Sequence, residues 1–264
     1  APDASSESRA GLTIFDFPRG AAAGTCLHEL FEQLDYSTVT DDCLERLSRT
    51  CLQRNGYDLR WLPAVQAMVR EVISTPLLPA DPGFSLSRLK PGSWLVELEF
   101  FLPLGRVSGA RLREMFDGML DPVRHGEFAQ VLESLQLQET RGMLQGFMDM
   151  VFEHDGRYSI IDWKSNHLGN RHDDYHPGML RDPMSSHAYI LQYHLYTLAL
   201  DRLLRQRLPG YSYETHFGEA IYVFLRGISP PDPQSGIYRD RPTVEFIRRA
   251  NAILLTEGAL FDSR

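Results

Sequence analysis

Apolar positions along this chain switch between a helical and a strand period, and the switches predict its elements. Leu12 to Phe17 is a short apolar segment broken by Pro18-Arg19-Gly20. From Gly24, the positions Leu27, Leu30, Phe31 and Leu34 fall at helical spacing, predicting a helix that ends near Tyr36. Two further helices are predicted over 40–54 and 61–73, before a breaker-rich stretch at 75–93. Trp94 to Leu102 then alternates, with Glu97, Glu99 and Phe101 set against Val96, Leu98 and Phe100, as a strand does. Residues 109–135 carry two short helical patterns, the second around Phe128 to Leu135. A stripe of Leu191, Leu195, Leu198 and Leu203 predicts a helix over 187–207, and Ala220 to Leu225 reads as a buried strand. A terminal helix is predicted over 242–257, with Pro242 near its first turn. The polar segment 166–186 and the Pro/Gly-rich segment 227–241 read as loops, the first long enough to point to function. No internal repeat is present. This order predicts an α/β domain with an open, mixed central sheet flanked by helices, the extra N-terminal helices walling one side of a cleft.

Residues 142–166 carry the sharpest local signal. Two apolar runs flank Asp155-Gly156, a strong hairpin turn. A tight two-residue turn pairs positions that sum to 311, which sets Asp149 opposite Asp162. Such partners have Cβ atoms about 4.5–5.5 Å apart. The same register sets Val151 opposite Ile160 on one face, and Met150 opposite Ile161 and Met148 opposite Trp163 on the other. Lys164 shares the face of Asp162, because side chains alternate along a strand. Two carboxylates so close repel unless a cation bridges them. The trio therefore fits a metal-ion site for phosphodiester cleavage. The plainer reading is that each Asp pairs with an arginine or caps a neighbouring loop.

Composition narrows the options. At 264 residues and 43% hydrophobic, the chain can bury a sizeable core. Residues 1–10 are small and polar and read as a flexible linker from a longer protein; residues 11–264 form the domain. No apolar run has membrane-spanning length. Cys26, Cys43 and Cys51 show no Cys-x-x-Cys spacing, which argues against a disulfide framework or structural zinc and fits a reducing, cytoplasmic setting. A net charge of −8 counts against a free-standing nucleic-acid binder, though not against a nuclease whose substrate is delivered to it. Arginine clusters at 202, 205 and 207 and at 248–249 read as solvated helix faces. Of 27 basic residues only Lys90 and Lys164 are lysine, and one of these falls two residues after the second carboxylate.

Other candidates are weaker taken singly. His28 on the first helix reads as either a structural histidine or a ligand. His28-Glu29-Leu30-Phe31-Glu32 has Glu32 where a zinc protease needs its second histidine. Gln192 and Tyr196 share a helix face and can orient a site or contact DNA. Glu97 and Glu99 share a strand face that looks to the cleft or to water. No phosphate-binding Gly-x-x-x-x-Gly-Lys-Ser/Thr loop occurs, so the chain has no nucleotide-driven motor of its own.

Together, segments 17–32 (FPRGAAAGTCLHELFE), 146–149 (GFMD), 161–169 (IDWKSNHLG), 191–200 (LQYHLYTLAL) and 222–227 (YVFLRG) closely resemble the C-terminal nuclease domain of the RecB family. The resemblance covers nearly all of the chain beyond the tail. It implies a restriction-endonuclease-like fold of the PD-(D/E)xK class, with Asp162-Trp163-Lys164 as the D-x-K element. It also implies His28, Asp149 and Asp162 as metal ligands, completed by a backbone carbonyl at Trp163. Lys164 becomes the catalytic lysine, beside Asp149 and Asp162, and Gln192 and Tyr196 the Gln-x-x-x-Tyr element. Relatives with an iron–sulfur cluster carry four cysteines, and this chain has three. The implied partners are helicase-fed single-stranded DNA, the RecC and RecD subunits with a helicase on the same polypeptide, and the recombinase RecA.

An oxygen-rich site suits Mg²⁺, and one imidazole also admits Mn²⁺. The expected chemistry is in-line attack by water on phosphorus, leaving a 5′-phosphate, with Lys164 positioning or deprotonating the water. Two alternatives stand beside this: a nuclease fold kept for docking DNA or protein without cleavage, and a zinc hydrolase built on His28 and Glu29.

Overall fold

The computed structural model describes residues 11–134 and 140–255; the expected linker at 1–10 lies outside them. Five strands, β1 (Trp94–Val107), β2 (Thr140–His154), β3 (Arg157–Lys164), β4 (Phe217–Phe224) and β5 (Ile237–Asp240), form one sheet in that order. β3 and β4 are parallel and the other neighbours antiparallel, so the sheet is mixed, as predicted. The crossover between β3 and β4 carries α7 (Pro177–Ser186), α8 (Tyr189–Arg207) and α9 (Tyr213–His216).

Helices α1 (Ala21–Gln33), α2 (Asp41–Arg54) and α3 (Leu62–Ser74) cover one face of the sheet. Leu27, Phe31, Trp61 and Val65 pack there against Met150, Phe152, Ile161 and Trp163. On the other face, α8 and α10 (Val244–Leu254) join α4 (Gly109–Phe116) and α6 (Phe128–Ser134) over Val151, Ile160, Tyr222 and Phe224. A short α5 (Pro122–His125) lies between α4 and α6. The central strands β3 and β4 are apolar on both sides because both sides are covered there. Caps fall where the residue types predict: Thr40 accepts from the Cys43 amide, and Ser108 from that of Arg111. Among the described residues no helix is long and apolar enough to cross a membrane.

Several expectations are corrected. Segment 166–186 is not loop throughout, since α7 fills its second half; Pro177 opens that helix, the His176 ring accepts from the Gly178 amide, and Leu180 and Met184 face the core. Segment 227–241 contains β5, whose four residues pair with β4 from Ala220–Asp240 to Val223–Ile237. The terminal helix begins at Val244 with Thr243 as its cap, which leaves Pro242 outside it. Met148 packs with Val151 and Ile160 rather than sharing the Trp163 face. The ladder between β2 and β3 runs only to Met150–Ile161, and beyond it the two strands part.

Candidate active site

The hairpin register is as the turn dictates. Asp155 and Gly156 both have positive φ (49° and 76°), the two-residue turn that matches strand twist. From it, pairs step up from His154–Arg157 to Met150–Ile161. At the next position the Asp149 side chain takes over from the main chain: its Oδ2 accepts from the Trp163 amide at 2.7 Å. The opening of the hairpin thus presents Asp149, Asp162 and Lys164 together.

Asp162 is 2% exposed. The Lys164 Nζ forms an ion pair with its Oδ2 at 2.5 Å. Burial, and then the Asp149 charge, push the Asp162 carboxyl up to about 7; Lys164 pulls the other way. Burial likewise raises Asp149 to about 6, against the Trp163 amide bond and Lys164. Two buried carboxylates that share one ammonium keep a net negative charge, which a hard divalent cation would offset.

His28 reaches this point from α1. Phe31, one turn on, stacks on Trp163 with ring centroids 4.5 Å apart and fixes the helix against β3. Gly24 permits the close approach, since a Cβ there would meet Ser165 Oγ at 2.9 Å. The His28 Nδ1 lies 3.5 Å from Asp149 Oδ2. Burial lowers the pKa of the ring, so the neutral imidazole keeps a lone pair to offer. The Trp163 main chain opposes that shift, which places it beside the His28 ring. The imidazole of His28 and the carboxylates of Asp149 and Asp162 are donors of the kind that Mg²⁺ or Mn²⁺ accepts. Among the described residues, the group whose ligand atoms all lie within 4.8 Å of one another is instead Asp81, His154 and Asp155 at the far end of the hairpin. The ligand atoms of His28, Asp149 and Asp162 do not all lie within that distance of one another. Along α1 a cleft of ≈ 730 Å³ opens, with His28 and Glu32 in its wall.

Gln192 and Tyr196 stand on one face of α8, as their spacing predicts, and Gln192 Nε2 donates to the Tyr196 hydroxyl at 2.8 Å. Gln192 Oε1 accepts from Lys164 Nζ at 3.2 Å. Glu29 is spoken for elsewhere: Arg54, Asn55 and Gln33 hold its carboxylate, which ties α1 to α2 and removes the zinc-hydrolase alternative's second residue. The arginine clusters behave as surface, with Arg205 paired to Asp201 and Arg249 to Glu245.

A sequence profile of the PD-(D/E)XK nuclease superfamily matches residues 7–259. The chain belongs to that superfamily. Across 236 residues it is 41% identical to the RecBCD enzyme subunit RecB of Escherichia coli (strain K12), a match over 89% of this chain and 19% of that protein. It is 35% identical to the RecB subunit of Haemophilus influenzae over 91% of the chain and 19% of the relative. For RecB of Mycobacterium tuberculosis (strain H37Rv) the identity is 32%, over 80% and 21%. The chain spans about a fifth of the length of these relatives. The resemblance to the RecB nuclease domain and the restriction-endonuclease-like α/β fold are borne out.

Sequence reasoning gave no role to Arg226, Tyr189 or Tyr222 and left Glu97 open between cleft and water. Arg226, fully buried after β4, donates to the carbonyls of Ile14, Phe17, Pro18 and Ser165, pinning the segment before α1 to the residue after Lys164. Its partners lie between 61 and 212 positions away, so no local pattern predicts these contacts. Glu97 has φ 50° and senses the charges of Glu32 and Asp162, with burial raising its pKa first of all. Glu99 instead holds Gln145 at 2.5 Å. Tyr189 and Tyr222, unremarkable in sequence, face the Lys164 ammonium.

Proposed function

We propose that the chain is a Mg²⁺-dependent DNA nuclease domain that hydrolyses phosphodiester bonds, mainly of single-stranded DNA. The observation that carries this reading is the buried Asp162 carboxylate, paired with Lys164 at 2.5 Å beside Asp149 and His28. A divalent cation held by His28, Asp149, Asp162 and the Trp163 carbonyl supplies Lewis acidity and water activation there. The two carboxylates give the site its charge, and the neutral His28 ring adds a ligand without adding charge. Lys164, fixed by Gln192 Oε1, offsets the negative charge that develops on a phosphate and takes part in moving the proton of the attacking water.

On this reading the domain works as exonuclease and endonuclease in the cytoplasm, on strands fed by a helicase in the same polypeptide. The alignment with RecB subunits extends the proposal to RecC and RecD as partners, to RecA as a docking recombinase, and to double-strand break repair and recombination as the setting. A cleavage assay on single-stranded DNA with Mg²⁺ tests it, comparing the parent with Asp162→Ala and Lys164→Ala. Both variants are expected to lose cutting, and EDTA to abolish it in the parent. Variants that cut as fast as the parent would leave the fold as a docking module for DNA or protein.

A further inference from the structure

We propose that Tyr189 and Tyr222 are positioning residues, forming an aromatic seat that holds the Lys164 ammonium in place when Asp162 turns to a divalent cation. The inference rests on the nuclease reading and adds to it residues of α8 and β4.

Lys164 is 8% exposed, and an ammonium so buried needs compensation. One compensating group is the Asp162 carboxylate at 2.5 Å. That carboxylate cannot be the whole answer, because a divalent cation requires the same oxygen atoms. A lysine tethered to Asp162 alone would lose its partner and meet a dication at close range. The remaining contacts lie on other elements. Nζ stands 3.8 Å from the Tyr189 ring centroid and 5.0 Å from that of Tyr222, both within cation–π range. Gln192 Oε1 lies 3.2 Å away.

Each wall of the seat is itself fixed. The Tyr222 hydroxyl donates to Gln192 Oε1 at 2.9 Å, so that oxygen cannot rotate out of reach. Tyr189 follows Ala188, whose left-handed backbone (φ 55°) starts α8 and turns the ring toward β3; its hydroxyl donates to Asn166 Oδ1 at 3.3 Å. The two rings meet at 5.8 Å and 37°. None of these contacts involves a cation ligand, so the seat persists whichever cation Asp162 faces. A guanidinium, planar and wider, does not fit a seat built for a point charge.

The chain has only two lysines, so protein grown on ¹³C-lysine gives two ε-methylene signals, with Lys90 as internal control. The Lys164 signal is expected upfield, displaced by the Tyr189 ring, and is expected to stay upfield when CaCl₂ is added. That arm needs no variant. Tyr189→Phe keeps the displacement and Tyr189→Leu removes it, with Lys90 unmoved in both. On single-stranded DNA with Mg²⁺, Tyr189→Leu lowers kcat about tenfold with KM little changed, the size a desolvated cation–π contact can reach, and Tyr189→Phe, which keeps the ring, recovers most of that loss. Two results overturn the proposal: a parent signal that calcium returns to the unperturbed position, or a folded Tyr189→Leu protein with parental kcat. Failure of the nuclease reading looks different, as a parent that leaves DNA intact while its Lys164 signal stays upfield.

Discussion

The Trp163 amide donates to Asp149 Oδ2 at 2.7 Å, and this side-chain bond stands where the hairpin ladder stops. Asp149 therefore both terminates the pairing of β2 with β3 and lends the site its charge. Substitution separates the two roles. Asparagine retains an oxygen acceptor for the amide, whereas alanine leaves a buried N–H unpaired, at a cost of about 1–3 kcal/mol. Asp149→Asn also removes a charge that burial disfavours, as its pKa of about 6 records. Urea denaturation at pH 8 in EDTA should find Asp149→Asn at least as stable as the parent and Asp149→Ala the least stable of the three. Neither variant should cut DNA. An asparagine variant clearly weaker than the parent would show that the carboxylate charge stabilises the fold.

The two raised carboxyls make a signed prediction about pH. Asp149 at about 6 and Asp162 at about 7 both bind protons more tightly when folded than at the ordinary value of 3.8. Their contribution is fully present below pH 3.8 and is lost as pH climbs through 6 and 7. His28, whose pKa burial lowers from 6.5, acts with the opposite sign below that value. Above it the carboxylates govern. A cation that takes the place of their protons should then raise the thermal midpoint more at pH 8 than at pH 6. Calorimetry in EDTA and in Mg²⁺ at the two pH values reads this directly, and a larger increment at pH 6 would contradict it.

Much of the site was legible because a two-residue turn fixes register without help from the rest of the chain. Asp155-Gly156 alone sets the count as far as Met150–Ile161, one step short of Asp149 and Asp162, and Lys164 follows beside Asp162. His28 and Gln192 became legible only through the family resemblance, since each sits on a helix whose packing no local pattern specifies. What stayed hidden was non-local. β5 is a four-residue edge strand that exists only by pairing with β4, and α7 is masked by polar residues although Leu180 and Met184 carry its buried side. Glu97 and Glu99 look equivalent by alternation, yet the positive φ at Glu97 separates their roles.

Arg226 should behave as a clamp. It donates to four carbonyls from two distant segments, and burial lowers its pKa. Methionine fills much of the same space but donates nothing. Arg226→Met is expected to cost about 3 kcal/mol or more, since single hydrogen bonds to charged groups contribute roughly 1.5–3 kcal/mol. The loss should be local before it is global: amide exchange should quicken first in residues 14–18, ahead of the sheet. Parental stability, or exchange that rises evenly across the chain, would mean that the carbonyls find other donors.

Lys164→Arg keeps a positive charge and changes its shape, which makes it the sharper test of this position. Three contacts converge on one point: Asp162 Oδ2 at 2.5 Å, Gln192 Oε1 at 3.2 Å and the Tyr189 ring centroid at 3.8 Å. A guanidinium spreads its charge over a plane and donates in a fixed fork, so it cannot satisfy all three without displacing a wall. The chain uses arginine for 25 of its 27 basic positions, so keeping lysine here runs against its own bias. Charge alone would predict that arginine rescues most of the activity lost in Lys164→Ala. Geometry predicts that both variants fall about a hundredfold or more in kcat, the scale of a lost proton-transfer group. Single-turnover cleavage separates the cases, because it reads the chemical step with DNA already bound. An arginine variant within tenfold of the parent would mean that a diffuse charge suffices, and the ring contacts of Tyr189 and Tyr222 would then serve packing rather than catalysis.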